Sequence, residues 1–276
     1  MATEASTLLH TSNAFHHQWA GKLAELLVTL TQKEGGLGWA TGTSGQKNAK
    51  VFFANSGTEA NEGALKTARK VGKVRWAAKH GKQWDDPACD KYEIVCFAHA
   101  FHGRSMGALS VTTNAKYQKP FFPLIPGVQV GELNDLSSIE RLVGEKTCAV
   151  IVEPVQGEGG IHPAHEQWLR ALRKRCDETG AVLIFDEIQV CSIASFDVMP
   201  DAHPVPSLRS LTRFVLIVLQ CGLYRTGTLW AHSTLPTDCH PDIVTMAKPL
   251  ANGYPIGAVL MRDSVAEPMT TGTSRE

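Results

Sequence analysis

The segment AVLIFDEI (residues 181–188) sets the architecture that we predict for this chain. Its continuous apolar run favours a strand that is covered on both faces, as in a parallel sheet. Asp186 places a carboxylate at the end of this strand, where burial is costly without a cationic partner. That partner could be a structural arginine or the protonated ring nitrogen of a bound molecule. Asp186 is therefore the first candidate functional residue.

Four other segments have the same β-branched and aromatic character, namely VFFAN (51–55), YEIVCF (92–97), CAVIVEP (148–154) and DIVTMA (242–247). Helical patterns lie between or before them, at 21–31, 58–70, 136–143 and 167–179. Strands that alternate with helices predict an α/β fold with a parallel sheet. Ligands of such folds bind at the carboxyl ends of the strands, so the residues after each apolar run are the candidates for a site.

The stretch NSGTEAN (55–61) follows one predicted strand and opens a helix. Ser56 can cap that helix, and Gly57 lets a ligand approach the backbone amides of Gly57 and Thr58 closely. Amides at a helix N-terminus bind phosphate well. The same residues also fit an ordinary capped helix, and this motif alone does not decide between the two interpretations.

Two further strand ends carry candidate side chains. Phe101 could cover a flat ligand and Arg104 could bind a carboxylate, although core packing of the ring and a surface charge are the more common roles of such residues. Lys248 is a candidate Schiff-base amine, because partial desolvation lowers the pKa of such a lysine; the alternative is a solvated lysine before a turn. The order of these residues along one chain favours a common site.

Composition excludes several classes of protein. The 276-residue chain has 27 lysines and arginines against 27 aspartates and glutamates, so no net field would hold it to nucleic acid or to an anionic membrane. Its seven cysteines are scattered without a Cys-x-x-Cys pair, which argues against a disulfide framework or a zinc site. The longest apolar run, 214–219, is too short to cross a bilayer. We therefore expect no nucleic-acid, membrane or metal partner.

Five stretches together resemble the class III pyridoxal-phosphate-dependent aminotransferases of fold type I, most closely the fungal acetylornithine aminotransferases: FANSGTEANE, FHGRSMGALSVT, VEPVQGEGGI, FDEIQ and MAKPLANGYPIGAVLM. The resemblance covers residues 5–189 and 221–266. It implies the large domain of that fold, a mainly parallel sheet flanked by helices, with pyridoxal 5′-phosphate as cofactor. It also implies a homodimer in the mitochondrial matrix. The opening MATEASTLLH is unlike a transit peptide, so the chain as written is expected in the cytoplasm.

The resemblance also implies a role for each candidate residue. Lys248 would form the Schiff base and Asp186 would pair with the ring nitrogen, which makes these two the catalytic residues. The remaining cofactor contacts would come from Ser56, Gly57, Thr58, Phe101 and Gln189, with Gln189 near the ring hydroxyl. Arg104 would bind a substrate carboxylate, and Glu158 corresponds to a glutamate that pairs with a C-terminal arginine in relatives.

The activity implied is transamination. The amino group of N-acetylornithine would pass to 2-oxoglutarate, giving N-acetylglutamate 5-semialdehyde and glutamate in arginine biosynthesis. Ornithine and 4-aminobutyrate are competing amino donors that these motifs do not separate. An alternative of another class is a catalytically inactive fragment or a faulty gene model.

Residues 190–220 interrupt the resemblance. Lys248 follows Asp186 by 62 positions, which is longer than in the family, and removing 190–220 restores the family spacing. The codons for residues 190–191, 211–212 and 220 fit splice donor, branch and acceptor signals, and FVLIVL (214–219) fits a pyrimidine-rich tract. We therefore interpret the segment as a retained intron, with a genuine surface loop as the alternative.

The two ends also differ from the family pattern. We expect residues 1–266 to form a cofactor-binding large domain that is incomplete at its N-terminus. Residues 267–276 would be a divergent tail in place of the C-terminal small domain. On this interpretation the chain as written is inactive by itself.

Overall fold

A computed structural model describes residues 11, 15–43, 49–188, 224, 227–251 and 254–269. Gln189, the segment 190–220 and residues 270–276 lie outside the described residues, and so do the predictions that concern them. None of the described helices is long and apolar enough to cross a membrane.

A seven-stranded sheet forms the centre of the described fold, in the order β1-β9-β8-β7-β4-β2-β3. Its strands are β1 (Ala49–Ala54), β2 (Glu93–Phe97), β3 (Val128–Gly131), β4 (Thr147–Val152), β7 (Val182–Asp186), β8 (Ile243–Met246) and β9 (Gly257–Arg262). Neighbouring strands from β3 to β8 pair in parallel, whereas β9 is antiparallel to both β8 and β1. The small hairpin β5 (Val155–Gln156) and β6 (His162–Pro163) lies outside this sheet.

Helices connect the strands and cover the sheet, as the alternating pattern predicts. They are α1 (Gln18–Glu34), α2 (Gly57–His80), α3 (Met106–Ser110), α4 (Ala115–Gln118), α5 (Leu136–Leu142), α6 (Glu166–Thr179) and α7 (Asp263–Ala266). Short 3-10 segments lie at Lys119–Phe121, Ala231–Thr234, Thr237–Cys239 and Lys248–Ala251. Helices α2 and α6 each end at a glycine in the left-handed conformation, Gly81 and Gly180.

All five strands and all four helices predicted from the sequence are present. Helix α2 is longer than predicted, because its apolar face continues to Val71 and Ala77. The sequence patterns missed β3 and β9. Strand β3 is a four-residue edge strand with a partly exposed surface, and β9 begins at a glycine directly after a turn-rich segment.

The two faces of the sheet carry separate cores. One core contains Ala60, Ala64 and Ala68 of α2, packed against Ile184 of β7 and Ile243 of β8. The other core lies under α5 and α6, where Trp168 and Leu172 meet Leu183 and Phe185. Since side chains alternate along a strand, Ile184 and Asp186 point to the same face as α2. The sheet thus presents the Asp186 carboxylate to the helix whose N-terminus the sequence marks as a phosphate site.

Candidate active site

A cavity of 460 Å³ lies at the carboxyl ends of β7 and β8, beside the N-terminus of α2. This volume is in the range of small-molecule sites. Its walls are formed by Gly57, Thr58, Phe101, His102, Gly103, Arg104, Tyr117, Glu158, Asp186, Ile188 and Lys248. The cavity is therefore where the sheet rule predicts a ligand, at the carboxyl ends of the parallel strands.

Asp186 is almost fully buried, with 2% of its surface exposed. Its Oδ2 accepts a hydrogen bond from Asn61 Nδ2 at 2.7 Å and lies 2.8 Å from His102 Nδ1. Its Oδ1 accepts the backbone N–H of Ile188 at 2.9 Å. Two partners were considered for this carboxylate. Among the described residues its side-chain partners are Asn61 and His102, and no arginine contacts it.

The N-terminus of α2 opens onto the cavity. Ser56 is the N-cap, and its hydroxyl accepts the Glu59 amide at 3.3 Å. The amides of Gly57 and Thr58 are the first two of the helix, and such amides have no acceptor within their own helix. They carry the positive end of the helix dipole toward the cavity, which favours an anion there.

The Thr58 hydroxyl is already engaged within the protein. Ser105 donates its hydroxyl to Glu62 Oε1 at 2.6 Å, so the 2.7 Å bond between Thr58 Oγ1 and Ser105 Oγ must be donated by Thr58. Thr58 Oγ1 also accepts the Ser105 amide at 3.2 Å. An anion at this helix end would therefore be bound mainly by the backbone amide of Thr58.

At Gly57 and Gly103, neighbouring cavity residues pack directly against the backbone. A Cβ at Gly57 would lie 2.8 Å from Ile188 Cγ2, and a Cβ at Gly103 would lie 2.8 Å from Thr58 Cβ. Gly103 also has φ +129°, a conformation that other residues rarely adopt. A side chain at either position would displace residues that form the cavity.

Phe101 and Tyr117 lie together on one side of the cavity, with ring centroids 5.8 Å apart in an edge-to-face arrangement. Tyr117 donates to Glu158 Oε1 at 2.6 Å, and this hydrogen bond raises the pKa of Tyr117 above its usual value. Arg104 is exposed on the same wall. The wall thus offers an aromatic face, a cation and an anion within one cavity.

Glu153 lies behind this wall and is 1% exposed. Its two oxygens accept the backbone N–H groups of Phe101 at 2.9 Å and Gly157 at 3.3 Å. Burial raises the pKa of Glu153 to about 7, while His102 acts to lower it and Asp186 to raise it. One buried carboxyl therefore joins the loop that carries Phe101 to the loop that carries Glu158.

Lys248 begins the 3-10 segment directly after β8 and lines the cavity. Its φ is +43°, in the left-handed region that costs energy for a residue with a side chain. Strained backbone of this kind clusters at functional sites. Lys248 and Asp186 thus line one cavity from the ends of adjacent strands.

The structure brings together seven of the nine residues selected from the sequence, namely Gly57, Thr58, Phe101, Arg104, Glu158, Asp186 and Lys248. Ser56 is not among the lining residues, and its hydroxyl serves as the helix cap. Gln189 lies outside the described residues.

Four residues with direct contacts to this site were given no role by the sequence: Asn61, His102, Tyr117 and Glu153. His102 and Glu153 lie inside stretches that carried the resemblance, and Asn61 lies inside the phosphate motif itself. The available signal in the sequence was a polar residue within an apolar pattern. Such a residue is expected to be buried, and a buried polar group needs a partner.

This arrangement fits a phosphorylated aromatic ligand with a ring nitrogen and a carbonyl group. The amides of Gly57 and Thr58 at the N-terminus of α2 suit the phosphate. The Phe101 ring suits an aromatic face, and Asp186 suits a protonated nitrogen. The Lys248 amine suits a carbonyl carbon.

Comparison with known proteins matches the chain to the family that its sequence resembles. The family described as aminotransferase class-III matches residues 1–192 and 205–274. The mitochondrial acetylornithine aminotransferase of Neurospora crassa is 46% identical over 272 residues, covering 99% of this chain and 48% of that protein. The chain thus spans about half the length of the curated relatives it matches.

Solved structures agree with this result. An N-acetylornithine aminotransferase from Stenotrophomonas maltophilia matches with a TM-score of 0.62 and 32% identity, covering 97% of this chain and 52% of that one. The ornithine aminotransferase from Toxoplasma gondii matches with a TM-score of 0.70 and 26% identity, covering 100% and 52%. Because the family match extends over most of the sequence, the chain belongs to the class III aminotransferase family.

Proposed function

We propose that this chain is the cofactor-binding portion of an aminotransferase that transfers the amino group of N-acetylornithine to 2-oxoglutarate. One observation carries the proposal: Asp186, with its buried carboxylate, and Lys248 line one cavity from the ends of adjacent strands. The names of the relatives support N-acetylornithine as the amino donor. An ornithine aminotransferase among the structural neighbours keeps ornithine as the second candidate.

The proposed cofactor is pyridoxal 5′-phosphate. Gly57 and Thr58 would bind its phosphate through their amides, with the helix dipole of α2 adding to the attraction. Phe101 would cover one face of the ring. Asp186, held by hydrogen bonds to Asn61 and His102, would keep a proton on the ring nitrogen.

The reaction needs an electron sink and a mobile proton. Bound pyridoxal phosphate supplies the sink, since its protonated ring accepts the electron pair released at the substrate carbon. Asp186 supports this by keeping the nitrogen protonated. Lys248 Nζ would take the proton from one carbon of the substrate–cofactor pair and return it to another. The apolar side chains of Phe101 and Ile188 on the cavity wall would help to exclude water from that transfer.

Substrate recognition would rest on Arg104 and Glu158. The Arg104 guanidinium offers a fork for a carboxylate, which both N-acetylornithine and 2-oxoglutarate carry. Glu158 would meet the part of the substrate that distinguishes the two half-reactions. We also propose that the active protein is a homodimer in the mitochondrial matrix, as the names of relatives support for the location.

The test is borohydride reduction of the purified protein after incubation with pyridoxal phosphate, followed by peptide mass mapping. We expect the reduced cofactor on Lys248 and no label in the Lys248→Ala variant. The exposed Lys116 serves as a matched control, since Lys116→Ala should keep full labelling. Label on a different lysine, with none on Lys248, would overturn the assignment of the site.

A further inference from the structure

Asn61 lies at the centre of the hydrogen-bond network beneath the cavity. It is fully buried on α2, one turn after the helix N-terminus. Its Nδ2 donates to His102 O at 2.6 Å and to Asp186 Oδ2 at 2.7 Å. Its Oδ1 accepts the Thr245 hydroxyl at 2.8 Å. Four separate elements of the fold therefore meet at one amide.

These partners fix the orientation of the Asn61 amide. Both Nδ2 hydrogens are used, one on a carbonyl and one on a carboxylate, and neither partner can donate a hydrogen bond. A flipped amide would place Oδ1 against these two acceptors. It would also leave the Thr245 hydroxyl facing Nδ2, where it could no longer donate.

The network also decides which oxygen of Asp186 can accept another hydrogen bond. Each carboxylate oxygen accepts about two hydrogen bonds. Among the described residues, Oδ2 receives two hydrogen bonds, from Asn61 and from His102, whereas Oδ1 receives one, from the Ile188 amide. The carboxylate oxygen that can accept a further hydrogen bond is therefore Oδ1.

Strand register holds this arrangement together. Asp186 of β7 and Thr245 of β8 are direct neighbours in the parallel ladder. Both side chains point to the face covered by α2, and Asn61 bridges them. The helix that offers Gly57 and Thr58 to a phosphate is thus tied, through Asn61, to the carboxylate at the other end of the site.

We infer that Asn61 is a positioning residue for the cofactor ring: it occupies Asp186 Oδ2, so that Oδ1 meets the ring nitrogen, and it fixes the distance between that oxygen and the phosphate-binding helix end. This inference rests on the proposed function. It assigns no contact between Asn61 and the cofactor, and Asn61 acts only through Asp186.

Three variants test it in the purified protein. Asn61→Asp has the same shape but places a second carboxylate oxygen against Asp186 Oδ2, so the two groups must share a proton and Asp186 loses charge. Asn61→Leu leaves an acceptor position on Oδ2 unused, so the ring nitrogen could then pair with either oxygen of Asp186. Thr245→Val removes the donor that orients the amide. Thr67→Val, a buried substitution farther along the same helix, is the matched control.

The first readout is binding of two probes, pyridoxal phosphate and inorganic phosphate. We expect Asn61→Asp to weaken pyridoxal phosphate at least about tenfold, and Asn61→Leu and Thr245→Val to weaken it about three- to tenfold. Affinity for inorganic phosphate, which needs only the helix end, should change less than about twofold. Thr67→Val should leave both affinities unchanged.

The second readout needs no cofactor. The ¹⁵N resonance of His102 Nδ1 should shift in cofactor-free Asn61→Asp, because the oxygen that it bonds changes its protonation, and should keep its position in Thr67→Val. An unshifted resonance together with unchanged affinity for pyridoxal phosphate would overturn the inference. Equal loss of both probes would also overturn it, since Asn61 would then be merely structural. Failure of the wild-type protein to label at Lys248 would instead reject the proposed function, and the His102 resonance would still decide the role of Asn61.

Discussion

Tyr117 donates a 2.6 Å hydrogen bond to Glu158, and the pair lies on the cavity wall that also carries Arg104. We expect this bond to keep the Glu158 carboxylate from pairing with the guanidinium. On the proposed function, Arg104 then stays available for the carboxylate of a substrate. The sequence motif around Glu158 gave no indication of this partner, because Tyr117 is 41 positions away.

Replacing Tyr117 by phenylalanine tests this role. Without the hydroxyl, Glu158 is free to neutralise Arg104, so 2-oxoglutarate should bind about two- to tenfold more weakly. Isothermal titration of the cofactor-loaded protein measures the change. The control is Tyr92→Phe, which alters an exposed tyrosine outside the cavity and should have no effect. Equal affinities for wild type and Tyr117→Phe would show that Glu158 does not compete for Arg104.

Replacing Arg104 by alanine should weaken carboxylate substrates by about 1.5–3 kcal/mol, the range for a hydrogen bond to a charged group. Arg104→Lys should recover only part of the loss, because lysine keeps the charge but not the planar fork. The same titration measures both variants, with Lys116→Ala as an exposed-cation control. Unchanged binding in Arg104→Ala would remove this residue from the substrate site.

The comparison of sequence and structure shows which kinds of residue a pattern can reveal. Asp186 and Lys248 were predicted because each follows a buried strand, and strand ends converge in a parallel sheet. Asn61 was not given a role, because its contact with Asp186 joins positions 125 residues apart. Nothing local in the sequence encodes such a pairing. Ser56 was selected for the cofactor, but a capping hydroxyl and a ligand-binding hydroxyl look identical in sequence.

Replacing Gly103 by alanine should destabilise the protein and distort the helix end. The φ of +129° is strained for alanine, and the new Cβ would collide with Thr58, so we expect a loss of about 1–3 kcal/mol in the free energy of unfolding. Gly21→Ala is the matched control, since Gly21 lies in α1 with open space around it and should gain about 0.5–1 kcal/mol. Urea unfolding measures both. Equal effects from both substitutions would contradict the steric argument.

The interpretation of segment 190–220 predicts which codons the mature messenger RNA contains. On the retained-intron interpretation, mature transcripts should lack the codons of residues 190–220, and sequencing across codons 189–221 tests this directly. Protein without the segment should also be more soluble, since FVLIVL is an apolar run without charge. Presence of these codons in every mature transcript would instead establish a genuine loop.

The raised pKa of Glu153 makes the free energy of unfolding depend on pH. Its pKa is raised to about 7 by burial, so the folded protein binds this proton more tightly than the unfolded chain does. The resulting stabilisation is complete below the ordinary carboxyl pKa and is lost as the pH rises through 7. We therefore expect the free energy of unfolding to fall by up to about 3 kcal/mol between pH 4.5 and pH 8 on account of this group.

Glu153→Gln separates the proton from the hydrogen bonds. Glutamine cannot titrate, so this part of the fall should disappear. The curves of variant and wild type should lie closest at pH 5, where Glu153 is also neutral, and should separate as the pH rises. Urea unfolding at pH 5, 6, 7 and 8 measures the difference, with the exposed Glu140→Gln as a control that keeps the wild-type profile. If Glu153→Gln lost the same unfolding free energy at all four pH values, titration of Glu153 would not explain the effect. The bonds from Phe101 and Gly157, which glutamine can satisfy only on one oxygen, would then matter more than the charge.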